Sequence, residues 1–413
     1  MHGLEPDPSD RFRRLYASDR AALASLALLA VLYYGGSYLA GGLLGRSPQS
    51  GQTHYAYLAE AMLEGRLDLP PGRAPHLSEI VSYRDQRFVV YPPLPAIVLL
   101  PAVALFGAEL ETSLLSIALA AVGLAATFVW LRRLGRPRDV AWWSALLLGL
   151  GTSYTYAAIV GSSWLLAHVL GVLLLTAAMC EVYGRNRGVV AGLLIGGAMW
   201  CRMPMVLAAP FAMYLAGERS GRRVRSALQV GAGVAVFLVL NALYNWLRFD
   251  DVRNVAYTMI PGVLAEPWYE RGIFDLAYLP RNLHVLLFEP PVLLDSFPYF
   301  AASLWGLGVV FATPAYLLML WAPFGERTTR VLLAAAVACM LPGLFHGWPG
   351  AQQYGYRFSL DAAPFLVALM ALGIGDRVTP RVRALLVLNL ALTAWWIAFA
   401  RWVPPRDWIY PFG

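Results

Sequence analysis

Long apolar runs alternate with short polar stretches along the whole chain. A transmembrane helix needs about 20 apolar residues, and runs of suitable length, some with modest tilt, lie at 21–44, 111–131, 139–157, 161–183, 225–247, 299–321, 329–345, 358–374 and 383–400. A further run, 188–216, is interrupted at Cys201-Arg202-Met203-Pro204. We expect two short helices to meet there, because Pro and Arg are poorly tolerated in a membrane interior. The pattern predicts an all-α polytopic membrane protein with about 11 transmembrane helices.

The apolar segment 93–107 is shorter than these runs and contains two internal prolines, Pro95 and Pro101. Both features favour a helix that lies flat on the membrane or re-enters from one face. Charge supports the same choice, because cytoplasmic loops carry an excess of Arg and Lys. The arginine clusters all fall inside only if 93–107 does not cross, and they lie at 11–20, 132–138, 185–187, 219–225, 327–330 and 377–383. We therefore expect the N-terminus inside and the C-terminus outside.

This topology divides the chain into segments with different roles. They are a cytoplasmic N-terminus (1–20), a first transmembrane helix (21–44), an outer-face module with interfacial helices (45–110), a bundle of six transmembrane helices (111–247), an outer loop (248–298), four C-terminal transmembrane helices (299–400) and an outer tail (401–413). The inner loops are short and basic. Chemistry is therefore expected outside, where the polar segments converge: 46–92, 158–163, 248–298 and 346–357.

The stretch Arg46–Pro95 is too long and too patterned to be only a connection between helices. Residues 53–64 predict a helix, with Thr53 as its N-cap and Gly65 as its stop. One face carries Tyr55, Leu58, Ala59, Met62 and Leu63, and the opposite face carries Tyr57, Glu60 and Glu64. The sequence from Ile80 to Tyr91 predicts a β-hairpin that turns at Asp85-Gln86. We expect a small folded module on one membrane face, with the apolar side of its helix down.

Composition narrows the class of protein. Hydrophobic residues make up 59% of the chain and charged residues only 14%, which excludes an ordinary soluble domain. The net charge of +7 is explained by the inner arginines, so it does not indicate a nucleic-acid partner. Cys180, Cys201 and Cys339 have no ligand spacing, which gives neither a disulfide framework nor a metal site. No cofactor is predicted; the outer loops lack a DxD carboxylate pair, although a divalent cation stays open.

Three side chains of the first outer loop are candidates for a general base. His54, Glu60 and Asp85 lie where a carboxylate or imidazole can take a proton from an acceptor hydroxyl. His54 stands apart from the other two, because it marks the point where the chain enters the module. The alternative for each of them is a solvated helix face or a hairpin turn.

Two arginines outside the inner clusters are candidates for binding a phosphate. Arg202 sits in the interruption of the 188–216 run, and Arg357 lies in GWPGAQQYGYRFSLDAAPF. The planar guanidinium suits phosphate oxygens. The alternatives are that Arg202 snorkels to lipid headgroups and that Arg357 pairs with Asp361 one turn further on.

A sugar is typically bound by aromatic faces and amide groups, and such residues surround Arg357. The candidates for sugar or acceptor binding are Tyr91, His168, Trp348, Gln353, Tyr354 and Tyr356. For the residues near Arg357, the alternative is an aromatic belt at the membrane interface. For His168, the alternative is a packed imidazole bonded to a neighbouring helix.

The order of these motifs resembles a known family. A first spanning helix is followed by an outer loop with "EGRLDL", then "YPPLPAIVLLPAVALFG", a helix ending in "LRRLG", and "GLLIGGAMWCRMP". Over residues 20–220 this order is similar to membrane glycosyltransferases of the GT-C fold. The similar proteins are bacterial relatives of protein O-mannosyltransferases and lipid A aminoarabinose transferases (glycosyltransferase family 39-like). The segment "GWPGAQQYGYRFSLDAAPFL" also resembles the end of many bacterial members.

The resemblance implies the transfer of a hexosyl or pentosyl group from a polyprenyl-phosphate donor to a glycan, lipid or protein of the cell envelope. It implies an integral protein of the bacterial cytoplasmic membrane, with the active site outward and a base in the first outer loop. Tyr91-Pro92-Pro93 matches the family's aromatic-Pro-Pro motif, and Arg202 falls where relatives carry a basic residue. The chain departs from the family at two acidic positions, where it has Gln52-Thr53-His54 and Ser162-Ser163-Trp164.

These departures give a second hypothesis from another class. A protein of the same fold that lacks the usual acids binds or translocates a polyprenyl lipid without catalysis. A solute transporter is a third hypothesis, disfavoured by the long outer loops and the uncharged helix interiors.

Overall fold

The computed structural model describes residues 14–43, 51–74, 76–253, 255–297, 299–351 and 353–399. The predicted outer tail 401–413 and most of the predicted cytoplasmic N-terminus, residues 1–20, lie outside these ranges. Helices account for most of the regular structure in the described residues, together with two short β-hairpins.

The elements follow one another from one end of the described chain to the other. The first half contains α1 (Asp19–Leu43), α2 (His54–Leu63), β1 (Ile80–Tyr83), β2 (Gln86–Val89), α3 (Leu94–Phe106), α4 (Thr112–Arg133), α5 (Arg138–Leu150), α6 (Ser153–Val160), α7 (Ser163–Tyr183) and α8 (Gly188–Met199). The second half contains α9 (Ala209–Ser220), α10 (Arg223–Phe249), α11 (Leu279–Phe288), β3 (Val292–Leu293), β4 (Phe300–Ala301), α12 (Val309–Ala312), α13 (Arg327–Phe345), α14 (Ala363–Ile374) and α15 (Pro380–Phe399).

Seven helices in the described ranges are long and apolar enough to cross a membrane. They are Asp19–Ala40, Thr112–Arg133, Ser163–Tyr183, Arg223–Phe249, Arg327–Phe345, Arg357–Ile374 and Pro380–Ala398. Each corresponds to one of the predicted spans. The pair α5 and α6 raises the number to eight if it is taken as one bent span. An integral membrane protein is therefore supported, whereas the predicted count of about 11 spans is not reproduced.

The predicted span 139–157 is bent by 52° between α5 and α6. The bend is built from polar contacts. Thr152 caps α6, because its side-chain oxygen accepts a hydrogen bond from the Tyr154 amide. The carbonyl of Gly151 accepts a bond of 2.7 Å from the Asn389 side chain of α15. The free backbone groups at the break are thus satisfied inside the bundle, as a low-dielectric surrounding requires.

The predicted span 299–321 is not one helix. It begins in strand β4, and α12 and the 3₁₀ segment Pro314–Trp321 follow after a turn. Gly306 has a φ of 102°, which an L-residue rarely adopts, and Pro314 cannot continue the hydrogen bonds of a preceding helix. These two residues explain why apolar composition alone overestimated the helix here.

The interruption in 188–216 is present as predicted. Helix α8 ends at Met199, a 3₁₀ segment covers Met203–Ala208, and α9 begins at Ala209. Each flanking helix has 12 residues, or about 18 Å of length. Neither therefore reaches across a bilayer core of about 30 Å by itself.

Arginines of two sequence clusters, 132–138 and 219–225, lie at one end of the helix bundle. Asp19 at the start of α1 accepts a hydrogen bond of 2.7 Å from Arg138, and it lies 3.4 Å from Arg132. Arg219 donates to the carbonyl of Val182 near the end of α7 at 3.0 Å. This basic end therefore holds the start of α1 and the ends of α4 and α7.

The path of the chain explains the short helix α3. Helix α1 leaves the basic end and α4 returns to it, and Tyr38 of α1 donates a hydrogen bond to Glu111 beside the start of α4. The described residues between α1 and α4 therefore begin and end at the opposite end of the bundle. Helix α3 has 13 residues, or about 20 Å of length, so it makes no net crossing, in agreement with the choice made from charge.

The predicted helix and hairpin of the first loop are both present. Helix α2 begins at His54, directly after the expected cap position Thr53. Strands β1 and β2 pair antiparallel, with Tyr83 opposite Gln86. The turn is therefore Arg84-Asp85, one residue earlier than predicted. Both turn residues have positive φ, as a two-residue hairpin turn demands.

Helix α2 is buried more evenly than its amphipathic pattern indicated. Tyr57, expected on the polar face, is buried, whereas Leu63 of the expected apolar face is 49% exposed. The reason is that α3 packs along α2, so Leu58 shares one cluster with Ala96 and Leu99 of α3. The other helix of the module therefore covers the apolar side that we expected to face the membrane.

Candidate functional site

A cavity of about 500 Å³ opens at the end of the bundle opposite the basic end. Its walls combine the first outer loop, the start of α7, the break after α8, the loop before α11 and the turn before α14. The side chains that carry charge or aromatic rings in these walls are Tyr55, Glu79, Tyr91, Trp164, Arg202, Tyr257, Phe274, His346, Trp348, Arg357 and Phe358. A volume of this size suits a ligand of a few hundred daltons.

Arg202 is held in the cavity wall by a buried carboxylate. Its Nε and Nη2 atoms donate to Asp361 at 3.2 and 3.1 Å. The Asp361 side chain is only 1% exposed, and Nδ1 of the fully buried His168 lies 3.2 Å from its Oδ1. The sequence put Asp361 beside Arg357, but the fold pairs it with an arginine 159 residues away. His168 thus packs behind the wall and does not line the cavity.

Arg357 lines the same cavity in a different electrostatic environment. Its guanidinium lies over the ring of Phe358, 5.1 Å from the centroid. Its Nε is buried and donates to no acceptor within the described residues. None of the ion pairs found in the described ranges includes Arg357, so the predicted alternative, a pair with Asp361, is not formed. A half-buried guanidinium with a buried, unsatisfied Nε is costly to desolvate, and it presents a site for an anion.

Glu79 is the acid that the first outer loop contributes to the cavity. Its Oε2 accepts a hydrogen bond of 2.9 Å from the indole of Trp164. Burial raises the pKa of Glu79, while the Trp164 bond and the charge of Arg357 act in the opposite direction. The residue has a φ of 53°, an uncommon backbone state for Glu that is often found at functional sites. A half-buried carboxylate with a raised pKa is the usual character of a general base.

His54 supports Glu79 from behind and does not line the cavity. Its Nε2 lies 2.6 Å from the carbonyl of Ser78, the residue before Glu79. A carbonyl only accepts, so Nε2 carries the proton. The other ring nitrogen lies 3.0 Å from Ser163 Oγ. Burial lowers the pKa of His54 to about 4, so the ring is neutral at pH 7 and fully enclosed. The structure thus makes it a positioning residue for the loop.

Gln52-Thr53-His54 and Ser162-Ser163-Trp164, the two places that differ from the acidic positions of the proteins this sequence resembles, meet in this junction. Ser163 Oγ donates to the carbonyl of Gln52 at 2.9 Å and accepts from the amide of His54 at 2.8 Å. Uncharged polar groups therefore join the start of α7 to the start of α2. Glu79 enters the cavity from the same loop, 25 residues further along than His54.

Tyr91 and Trp164 form an aromatic wall next to Glu79. Their ring centroids lie 6.4 Å apart, and Tyr91 also packs edge-on against His54 at 5.1 Å. The hydroxyl of Tyr91 is buried and has no partner among the described residues. Tyr91 therefore lies at the cavity with a free donor, and its predicted role in sugar or acceptor binding stays a prediction.

The second outer loop and the turn after α13 close the other side of the cavity. Tyr257 of that loop bonds to Tyr269 through their hydroxyls at 3.1 Å. His346 is half-buried and packs against rings of this loop, and its Nδ1 lies 2.7 Å from the carbonyl of Trp348. Burial lowers the pKa of His346 to about 4. Trp348 lines the cavity, and its predicted role in sugar or acceptor binding stays a prediction.

The side chain of Asn282 fixes this turn. The end of α13 leaves carbonyls without helical partners, and Asn282 donates to those of Leu344 and His346 at 2.9 and 2.8 Å. Asn282 is fully buried. It therefore satisfies the backbone at the point where His346 and Trp348 reach the cavity.

Two predicted base candidates are not brought to the cavity. Glu60 accepts two hydrogen bonds of 2.9 Å from Arg73, so its charge is compensated inside the module. Asp85 is exposed in the hairpin turn. Neither residue lines the cavity, because α2 and the hairpin turn point these side chains to other sides of the module.

Three predicted sugar-binding residues support the turn before Arg357 instead of facing the cavity. Gln353 donates to the carbonyls of Trp305 and Pro349. Tyr354 donates to the carbonyl of Ala312, and Tyr356 donates to that of Gly343. Buried polar groups require such partners. These residues hold the backbone of Arg357 in place.

Among the described residues, no group of three His, Cys, Asp or Glu side chains is arranged to hold a metal ion. The charged groups that face the cavity are Glu79, Arg202 and Arg357, with Asp361 behind them.

Comparison with known proteins gives a fold relationship. No family model and no curated protein matches this chain. The crystal structure of the apo oligosaccharyltransferase from Archaeoglobus fulgidus is similar, with a TM-score of 0.51 and 12% identity over 94% of this chain. The archaeal oligosaccharyltransferase AglB from the same organism, in complex with an inhibitory peptide and a dolichol-phosphate, is also similar, with a TM-score of 0.50 and 13% identity.

This chain covers 56% of the length of each of those structures. At such identity the likeness concerns the fold, which is that of GT-C glycosyltransferases. The GT-C-like architecture predicted from the motifs is therefore supported. The nearer resemblance to protein O-mannosyltransferases and aminoarabinose transferases stays a prediction.

Proposed function

We propose that this protein is a glycosyltransferase that moves a sugar from a polyprenyl-phosphate-linked donor to a hydroxyl group of a cell-envelope acceptor. The cavity is the active site, and it opens at the outer face of the bacterial cytoplasmic membrane. One observation carries the proposal: a half-buried carboxylate with a raised pKa, Glu79, shares a cavity with two arginines.

Each group has a role in the transfer. Arg357 binds the phosphate of the donor with its unpaired guanidinium, and Arg202, whose charge Asp361 compensates, lines the same cavity. Glu79 takes the proton of the acceptor hydroxyl. The acceptor oxygen bonds to the anomeric carbon while the bond from that carbon to the phosphate oxygen breaks. The bonding electrons stay on the phosphate, which leaves as polyprenyl phosphate.

The lining of the cavity suits a lipid carrier. Val206 and Leu207 of the 3₁₀ segment and Pro342 of α13 form an apolar side of the cavity. Leu207 is 37% exposed, so this side continues to the lipid-facing surface of the bundle. An isoprenoid chain that leaves the cavity here stays in the membrane while its phosphate reaches Arg357. Tyr91 and Trp348 supply ring faces for the sugar.

The proposal places the base on Glu79 and not on His54, Glu60 or Asp85. His54 is enclosed and neutral, Glu60 is paired with Arg73, and Asp85 lies outside the cavity. The acceptor, whether glycan, lipid or protein, is left to experiment.

The experiment is sugar transfer by the purified protein in proteoliposomes that contain a polyprenyl-phosphate sugar and a panel of acceptors. A general base contributes roughly 10²- to 10⁴-fold to a rate. We expect Glu79→Gln to lower kcat by at least 100-fold with an unchanged thermal unfolding temperature. Asp85→Asn is the matched control, because it removes a carboxylate of the same loop outside the cavity, and Asn tolerates positive φ.

The outcomes separate the hypotheses. Equal activity of Glu79→Gln and Asp85→Asn would reject Glu79 as the base. A wild-type protein that binds the lipid carrier but transfers no sugar to any acceptor would instead support a non-catalytic lipid-binding protein of this fold.

A further inference from the structure

The two cavity arginines differ in how their charge is compensated. Asp361 makes two hydrogen bonds to Arg202 and is 1% exposed, so the pair is close to neutral before any ligand arrives. Arg357 has no such partner within the described residues. The site therefore offers a phosphate less positive charge than two arginines would suggest.

The proposed reaction, on which this inference rests, changes the charge of the bound phosphate. The sugar-linked donor is a phosphodiester with one negative charge. The product is a phosphate monoester, which carries about −1.5 to −2 at pH 7. A site with two uncompensated arginines in a low-dielectric wall would therefore bind the product more tightly than the donor. Slow release of the product would then limit turnover.

We propose that Asp361 weakens binding of the lipid-phosphate product by compensating Arg202, and so permits product release. The carboxylate does not touch the cavity ligand; it acts through Arg202, as a positioning and charge-compensating residue. The buried His168, which does not line the cavity, lies against the same carboxylate, with its Nδ1 3.2 Å from Asp361 Oδ1.

Packing alone does not require an ion pair at this place, because well-packed apolar residues often replace a buried ion pair without loss of stability. The pair instead leaves Arg202 22% exposed at the cavity while Asp361 is enclosed behind it.

The test is binding of farnesyl phosphate, a short-chain isoprenyl phosphate, to the full-length protein in detergent. We expect Asp361→Asn to bind it at least tenfold more tightly than wild type, because a full positive charge is freed close to the phosphate. The affinity should also fall more steeply with salt. Weaker or unchanged binding by a folded Asp361→Asn protein would overturn the inference.

A double variant keeps the test valid if Asp361→Asn does not fold. Arg202→Gln with Asp361→Asn removes both charges and leaves Arg357. If Asp361 cancels Arg202, the double variant binds farnesyl phosphate within about threefold of wild type, which is under 1 kcal/mol. If Asp361 only holds Arg202 against the phosphate, the double variant loses tenfold or more, and the inference fails.

The binding test distinguishes failure of this inference from failure of the proposed function. If the wild-type protein does not bind farnesyl phosphate, the phosphate site is rejected, and the proposed transferase function is rejected with it. If the wild type binds farnesyl phosphate and Asp361→Asn binds it with the same affinity, only the role given to Asp361 is rejected.

Discussion

Arg202 and Arg357 line one cavity, yet they are built into it in opposite ways. Arg202 sits where α8 breaks and donates two hydrogen bonds to the buried Asp361. Arg357 begins the 3₁₀ turn before α14, lies over Phe358 and keeps an unsatisfied buried Nε in the described structure. Arg202 therefore stabilises the fold through an ion pair, whereas Arg357 presents an unpaired guanidinium to a ligand.

The surroundings of each arginine show how the fold tolerates this arrangement. The pair of Arg202 and Asp361 ties the break after α8 to the turn before α14. The turn that carries Arg357 is held by other groups, because Gln353 Oε1 accepts from the Arg357 amide and Gln353 Nε2 donates to two carbonyls. The guanidinium of Arg357 thus has little role in holding the backbone together.

The largest expected effect comes from removing each arginine in turn. Arg202→Met leaves the buried Asp361 without its main partner, and we expect a loss of about 3 kcal/mol in the free energy of unfolding. Arg357→Met removes an unpaired charge, so stability should stay the same or rise. Its cost should instead appear in donor binding, as a KM raised roughly 10- to 100-fold, since a hydrogen bond to a charged group contributes about 1.5–3 kcal/mol.

Thermal unfolding and donor titration of both variants check this division. Arg87→Met serves as a control, because its side chain donates to the carbonyl of Arg73 inside the module, away from the cavity. If Arg357→Met lost stability as much as Arg202→Met and bound donor normally, the division of roles between the two arginines would be refuted.

A smaller effect concerns the acid that faces the arginines. Burial raises the pKa of Glu79 above its usual value of 4.5. A general base works only when it is deprotonated, so kcat should fall as the pH is lowered through this raised pKa. The indole of Trp164 stabilises the carboxylate and lowers the pKa. Trp164→Phe should therefore move the acid limb of the pH–rate profile to higher pH.

The matched control for this profile is Trp268→Phe. Trp268 packs against Trp348, with ring centroids 4.5 Å apart, and does not contact Glu79. Its substitution should leave the acid limb where it is. An unshifted limb in Trp164→Phe, or an equal shift in both variants, would show that Glu79 is not the group that titrates.

Much of the helical framework follows from the sequence, because long apolar runs and arginine clusters are direct consequences of the membrane. The break at Arg202, the hairpin and the missing crossing at 93–107 were all predicted from local signals. The span 299–321 was not, because the φ of Gly306 and the position of Pro314 outweigh apolar composition. We predicted that the apolar side of α2 faces the membrane, because no local sequence signal shows that α3 packs against it.

The site was harder to predict, since it depends on contacts between distant residues. Arg202, Arg357, Tyr91 and Trp348 line the cavity, and they were singled out because an arginine or aromatic beside a break or Pro-rich turn is a local signal; their binding roles stay predictions. Glu79 looked like any acid of the loop; only the fold shows that it meets Trp164, 85 residues away. Asp361 carried a usable signal, because an ionisable residue inside an apolar run requires a partner, and Arg202, in the interruption of another run, has the opposite charge.

The central claim is that the phosphate of the lipid carrier binds at Arg357, with the sugar between it and Glu79. The most direct measurement is a cryo-EM structure of the protein in nanodiscs with a non-hydrolysable polyprenyl-phosphate sugar analogue. We expect phosphate oxygens at about 3 Å from the Arg357 guanidinium and the lipid chain leaving past Leu207. A phosphate bound elsewhere, with the Arg357 cavity empty, would contradict it.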